Sequence, residues 1–500
     1  MKKIIALLLL VALTLTVLAA CNNVGDDTSK EAGSKADESE AVVDKDAAWK
    51  DENGNYVPKV KKDMQGATFT IVVRGDKYGT YRSDDFFVAE DSIYGDRLRN
   101  AVNKRNERVK QDYNVELNLI RSDDIYNEVT NDIDSGLAEY DAIMPTMRNL
   151  ATLASDNKLL DLTEINGLDI NAPWYDKNVT EAFSIKGCVY FTAGDITILN
   201  KVNCCSILFS KEIIANNTAL ENPYDLVKSN QWTYDKLVEM GKAVANTNST
   251  DLNQRTYGML GHANDVYSIF VGCSNEPIVI KDDDDLPVIN FDNSNERAVK
   301  NTQKVLDSYV NGSDWIIYSN NTEFGTGAAM WDNSLAYFGN GHALFRPSYF
   351  SATTKLRQRS EKLFGIVPVP KLEEYQDDYY TYCTTGETAG IAIPITAKDP
   401  EFSAYMIDVY SAWAKNYITP AYVDVNLYQL DARDDDSEAM LDIIFTNIIY
   451  DMGECFNFGN IPNKISTLCS NGSTDVVSTL AEVQTQMLTD IDKLREQYED

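Results

Sequence analysis

The feature that most limits what this chain can fold into is a set of three apolar segments, separated by helical patterns, between residues 67 and 144. The first, Ala67-Thr68-Phe69-Thr70-Ile71-Val72-Val73, ends in a near-continuous apolar stretch, as a strand covered on both faces requires. A helix follows with Leu98, Val102, Arg105 and Val109 on one face, then a strand over Val115–Ile120. A second helix carries Tyr126, Val129, Ile133 and Leu137 and leads to the strand Tyr140–Met144. Strand, helix, strand, helix, strand is the pattern of right-handed βαβ units, so an α/β fold with a doubly wound parallel sheet is expected.

The same pattern restarts farther along the chain. Residues 159–182 are irregular and rich in turns, and Phe183–Phe191 reads as a short hairpin. A strand at Ser206–Phe209 opens a new stretch, with helices near 211–216 and 233–245, short strands, and a helix at about 294–309. Further strands are read at Ala343–Arg346, Phe364–Pro368 and Ala389–Pro394. The helix from Pro400 places Phe402, Met406, Val409 and Trp413 on one stripe. The last helix, 474 to about 497, is amphipathic through Val476, Leu480, Val483, Met487, Ile491 and Leu494. Beyond the first 48 residues the chain holds about 450 more, too many for one core, and predicts two domains.

The first 21 residues carry a different signal. Lys2 and Lys3 precede an uncharged apolar run from Ile4 to Val17, closed by Leu18-Ala19-Ala20-Cys21. Charge, a hydrophobic core shorter than a membrane span, and small residues are the order an export signal needs. This segment resembles bacterial lipoprotein signals, which implies removal of residues 1–20 and a diacylglycerol on the Cys21 sulfur. Localisation outside the cytoplasm, anchored to the outer face of the cell membrane, follows from that resemblance. Residues 21–48 are mostly polar and small, cannot bury enough surface to offset their ordering entropy, and read as a disordered tether.

The net charge of −32 repels phosphate backbones and argues against a nucleic-acid partner. The seven cysteines beyond Cys21 show no CxxC pair and no metal framework, and they read as small buried apolar residues. Asp282–Asp285 does not match the spacing of a calcium loop. With only His262 and His342 in the chain, multi-histidine zinc sites are not expected, and no metal or cofactor is called for. There is no Gly-x-Ser-x-Gly elbow and no phosphate-cradling loop, so nothing makes a positive case for an enzyme.

Local phrases then point to a family. They are Pro173-Trp174-Tyr175-Asp176, Gly187–Ile196, Asn222–Lys228 followed by Gln231-Trp232-Thr233, Phe364–Lys371, and Ile391-Ala392-Ile393-Pro394. From about Gly66 onward the chain resembles the extracellular solute-binding proteins of ABC importers, family 1, whose better-known members bind sugars. The resemblance implies a two-lobed, periplasmic-binding-protein-like (type II) α/β fold with an interlobe ligand cleft and hinge crossings. Lobe one would hold 66–197 and 365–416, lobe two 203–362 and 417–500. It also implies capture of a small solute, most often a sugar or oligosaccharide, and its delivery to ABC permease subunits in the membrane; a monomer is expected, since one lipid per chain and a hinged cleft need no symmetry partner. The rival readings are a lipid-anchored carbohydrate-active enzyme and a surface sensor or adhesin.

A sugar offers flat C–H faces for aromatic rings and a rim of hydroxyls for polar groups. Loops at strand ends therefore supply the candidates. On the first lobe these are Asp76 and Tyr78 (beside Arg74), Thr146 and Arg148, Trp174, and Asp195 after Gly194. On the second they are Asn264 (with His262), Trp331 (with Asp332), Arg346 and Tyr349, and the family resemblance adds Thr385 and Gly386. Each has a competing role: packing for Trp174 and Trp331, a helix cap for Asp195, ion pairing for Arg148 and Arg346, and structural polarity for His262.

Overall fold

The computed structural model of the chain describes residues 44–360, 362–423 and 435–498. The signal expected at 1–20, Cys21 and all but the end of the tether expected over 21–48 lie outside those residues. Among the described residues no helix is long and apolar enough to cross a membrane.

The first sheet has the order β2-β1-β3, all parallel, with β1 at Ala67–Arg74, β2 at Val115–Ser122 and β3 at Ala142–Met144. Phe69, Ile71, Val72 and Val73 are fully buried, as the apolar end of β1 anticipates. The crossover helices are α1 (Gly95–Tyr113), α2 (Ile125–Ser135) and, after β3, α3 (Met147–Ser155). Helix α1 buries Leu98, Val102, Arg105, Val109 and Tyr113 on one stripe. The expected stripe of α2 stops early: Gly136 takes a left-handed cap with φ of 68°, and Leu137 beyond it is 60% exposed.

The second sheet has five strands. In chain order they are β4 (Cys205–Ser210), β5 (Tyr257–Gly261), β6 (Ile316–Tyr318), β7 (Ala343–Tyr349) and β8 (Phe364–Val367), arranged β8-β4-β7-β5-β6. Strand β4 runs antiparallel to β7 and β8, whereas β5 is parallel to β6 and β7. Helices α4 (Tyr234–Val244), α5 (Glu296–Val310), α6 (Gly327–Gly339) and α7 (Phe350–Arg359) accompany this sheet.

Segment 364–367, expected to begin the return to the first lobe, instead hydrogen-bonds along β4, with Ile366 opposite Leu208. The return to the first sheet comes later, at Ala389–Pro394. That segment makes isolated antiparallel bridges to Ile143 and Thr146 on one side and to Thr192 on the other. The hairpin expected at Phe183–Phe191 reduces to one bridge, Ile185 to Cys188, because Lys177–Phe183 is a helix capped by the Asp176 carboxylate.

Helix α8 (Pro400–Pro420) does more than its predicted stripe implies. Nearly every position from Ser403 to Ala414 is buried, so it is enclosed rather than half-solvated. On one side Tyr410 stacks on Phe69, and the Arg105 guanidinium lies over the rings of Phe86 and Tyr410. On another, the Asp408 carboxylate accepts from Trp174 Nε1 at 2.8 Å and from the Tyr175 hydroxyl at 3.1 Å. Helix α9 (Val476–Glu496) buries all six positions expected of it. The seven described cysteines are all free thiols and six are buried, with Cys188 half-exposed.

Burial raises the carboxyls of Asp85 and Asp451 to about 6 and those of Asp265 and Asp408 to about 7. A carboxyl whose folded pKa exceeds its unfolded value, near ~4, stabilises the fold fully below that value. The contribution is lost as pH rises through the folded pKa. Stability is therefore expected to fall from about pH 5 to about pH 8, helped by self-repulsion at a net charge of −32. Thermal melts followed by circular dichroism should show a melting temperature several degrees lower at the higher pH. Asp408→Asn, which keeps an acceptor for Trp174, should flatten that dependence.

Candidate functional site

A cavity of about 690 Å³ is bordered by loops of the first sheet and by β5, β7, α6 and α7. From the first-sheet side come Tyr81, Arg148, Thr384 and Glu387. From the other come His262, Asp265, Trp331, Arg346 and Tyr349, with Lys355 and Arg359 from α7.

Glu454 closes the floor. It sits at the end of the short helix Met452–Cys455, capped by the Asp451 carboxylate through Gly453 N–H at 2.7 Å. Its own carboxylate pairs with the Arg148 guanidinium and accepts from the backbone N–H and the hydroxyl of Thr385. Arg148 lies in the first turn of α3, so this contact joins three distant stretches of chain.

The wall is built from the end of β5 and the far end of β7. After β5 the chain turns through His262, whose N–H donates to Asp265 Oδ2 at 2.6 Å, into a π-helical turn at Val266–Phe270. Asp265 also accepts from the Tyr309 hydroxyl at 3.3 Å. Pro347 falls past the last pair between β5 and β7, Met259 with Phe345, so its missing N–H interrupts no pairing there. Arg346 and Tyr349 sit on that end, and the Tyr349 hydroxyl donates to Ser268 O at 3.5 Å. Trp331, on α6, is 45% exposed with its ring 4.9 Å from that of His262. Burial and the nearby Arg346 charge lower the His262 pKa, which favours the neutral ring against the indole.

Of the residues singled out from sequence, Arg148, Asn264, Trp331, Arg346 and Tyr349 meet at this cavity, together with His262 and Asp332. Thr385 stands directly behind it through Glu454, and Gly386 lies where a Cβ would be 3.6 Å from the Arg148 guanidinium. The others lie elsewhere. Asp76 is an exposed carboxylate paired with Arg82 and Arg121, and the Tyr78 ring lies against Arg74. Thr146 caps α3 by accepting from Asn149 N–H at 3.2 Å. Trp174 is fully buried, edge-on to Trp49 and bonded to Asp408, so its role is packing. Asp195 ties its loop to α8 through Lys415 and the Thr419 hydroxyl. Gly194 beside it is required, because a Cβ there would stand 2.1 Å from Trp174 O.

Sequence reading missed Glu454 and Glu387. Glu387 follows the singled-out Thr385-Gly386, and extending that loop by one residue would have found it. Glu454 has no local signal; only tertiary structure brings it to Arg148. Lys355 and Arg359 lie four residues apart just after Tyr349, a spacing that puts both on one helix face. Among the described residues no group of three or more His, Cys, Asp or Glu side chains could hold a metal ion.

No family model matches the chain, and no curated protein does. Among solved structures it is similar to a cyclo/maltodextrin-binding protein complexed with maltotetraose, with a TM-score of 0.56 and 12% sequence identity. The match covers 87% of this chain and 98% of that one. At that identity the likeness is one of fold, and it places this mixed α/β chain in the fold of a sugar-binding protein.

Proposed function

We propose that this chain is a solute-binding lipoprotein that captures an oligosaccharide in the cavity beside Trp331 and hands it to an ABC permease. The observation that carries the reading is the cavity itself. Its size lies within the range of small-molecule sites. It joins a half-exposed indole, suited to a sugar's C–H face, with polar groups converging from two sides. The fold it shares with a protein solved in complex with maltotetraose supports the same reading.

Most carboxylates on the wall are engaged: Glu454 with Arg148, Asp332 with Arg359 at 2.8 Å, and Glu387 with Arg74 at 3.7 Å. Groups held this way orient a ligand better than they trade protons with it, which favours binding over hydrolysis. Residues 66–197 with the 389–416 return, and the remainder, act as two lobes that close on the solute by a hinge motion. The diacylglycerol on Cys21 and the polar tether keep a monomer within reach of its permease.

A ligand that binds only the folded state raises its melting temperature by mass action. Screening oligosaccharides from maltose to maltohexaose and from cellobiose to cellohexaose, together with uronate oligomers, should reveal a rise with one of them and no product on prolonged incubation. No rise with any sugar, or release of product, would sink the reading. Trp331→Ala should weaken that sugar by about tenfold or more in calorimetric titration, as loss of an aromatic anchor does, while leaving the unliganded melt unchanged. For the anchor, Cys21→Ser in the full-length chain should move the protein from the membrane fraction to the soluble fraction on cell fractionation.

A further inference from the structure

Several of the charges around the cavity are paired with one another. Arg148 has Glu454, Arg359 has Asp332, and Arg74, just behind the wall, has Glu387. Arg346 has no carboxylate within ion-pairing distance among the described residues. It is only 6% exposed, and both Nε and Nη1 are buried without a hydrogen-bond partner. Asp265, the acid that most affects it, has already committed an oxygen to His262 N–H and the Tyr309 hydroxyl. Lys355 on the same cavity also forms no ion pair among the described residues.

This is unexpected in a chain with 77 acidic and 45 basic residues, where a carboxylate is the easiest partner to supply. A guanidinium cannot escape its burial by losing a proton at neutral pH. Leaving one buried and unpaired is among the costlier arrangements a fold can hold. The cost is offset when a ligand brings the missing negative charge, and a guanidinium's planar donors match the oxygens of a carboxylate or a sulfate. With Trp331 lining the same cavity to take a ring face, the complement is a ring that bears an acid group.

We propose that the solute is an acidic oligosaccharide, one whose rings carry a carboxylate or a sulfate, and that Arg346 receives that group. This rests on the reading of the cavity as a sugar site. Four probes separate the two ideas on the full mature chain: tetragalacturonate, its methyl ester, maltotetraose and sulfated maltotetraose. Calorimetric titration should show one acidic probe binding about tenfold or more tighter than its uncharged counterpart. Whether tetragalacturonate or the sulfated chain gains says which acid group is read.

In Arg346→Met that preference should vanish while the unliganded melting temperature stays level or rises, because the buried charge had no protein partner. Arg346→Lys should retain part of the preference. A drop in the unliganded melt of Arg346→Met would assign the residue to structure and overturn the proposal. So would acidic and uncharged probes that bind alike, and in that case sugar binding stands. If none of the four probes binds, this proposal fails; the sugar reading fails with it only when the wider oligosaccharide screen also finds no binder.

Discussion

Glu454 is 2% exposed, and its carboxylate is shared between the Arg148 guanidinium and the backbone and hydroxyl of Thr385. A carboxylate so deeply placed survives only if it is satisfied, since desolvation removes the water that would otherwise hold its charge. Satisfying it requires the first turn of α3, the loop before Ala389 and the turn at 451–455 to be in place together. Asp451 strengthens the same node by accepting from the Tyr267 hydroxyl and from Ile278 N–H, both at 2.8 Å. The cavity floor is therefore a knot of chain segments rather than one loop, and the wall residues are positioned relative to it.

A second node organises the first sheet. Asp408, in the enclosed helix α8, draws in Trp174 and Tyr175, and near the end of that helix Lys415 and Thr419, four residues apart, hold Asp195. Two carboxylates thus pin the passage between the sheets to one helix. Both nodes spend acids on structure in a chain with a large excess of them. Against that background Arg346 stands out: it is buried, lacks an acid partner and lines the 690 Å³ cavity.

How much was legible in the sequence depends on the range of the deciding interactions. The buried stripes of helices α1, apart from Tyr113, and α9 were readable because a core-facing stripe at period 3.6 is a local pattern. Strand β1 was readable for the same reason: its apolar end reports burial on both faces. The pairing of 364–367 with β4 was not, since an apolar tetrapeptide says nothing about which sheet it joins. Helix α8 was read as a stripe although it is covered all round, because Ser403, Asp408 and Ser411 look solvent-facing until their buried partners are known.

In the site, strand-end logic found Arg148, Asn264, Trp331, Arg346 and Tyr349, because loops leaving a sheet edge on the same side converge. It misjudged Trp174 and Asp195, whose aromatic and acidic character suits a ligand and a core node equally well. The sequence by itself determined the α/β alternation and the amphipathic faces, both of them properties of neighbouring residues. Only the tertiary structure decided which carboxylates are consumed as structural partners and that Arg346, on the cavity wall, is left without one. Those outcomes rest on contacts between residues hundreds of positions apart, where burial and charge act through space and leave no local trace.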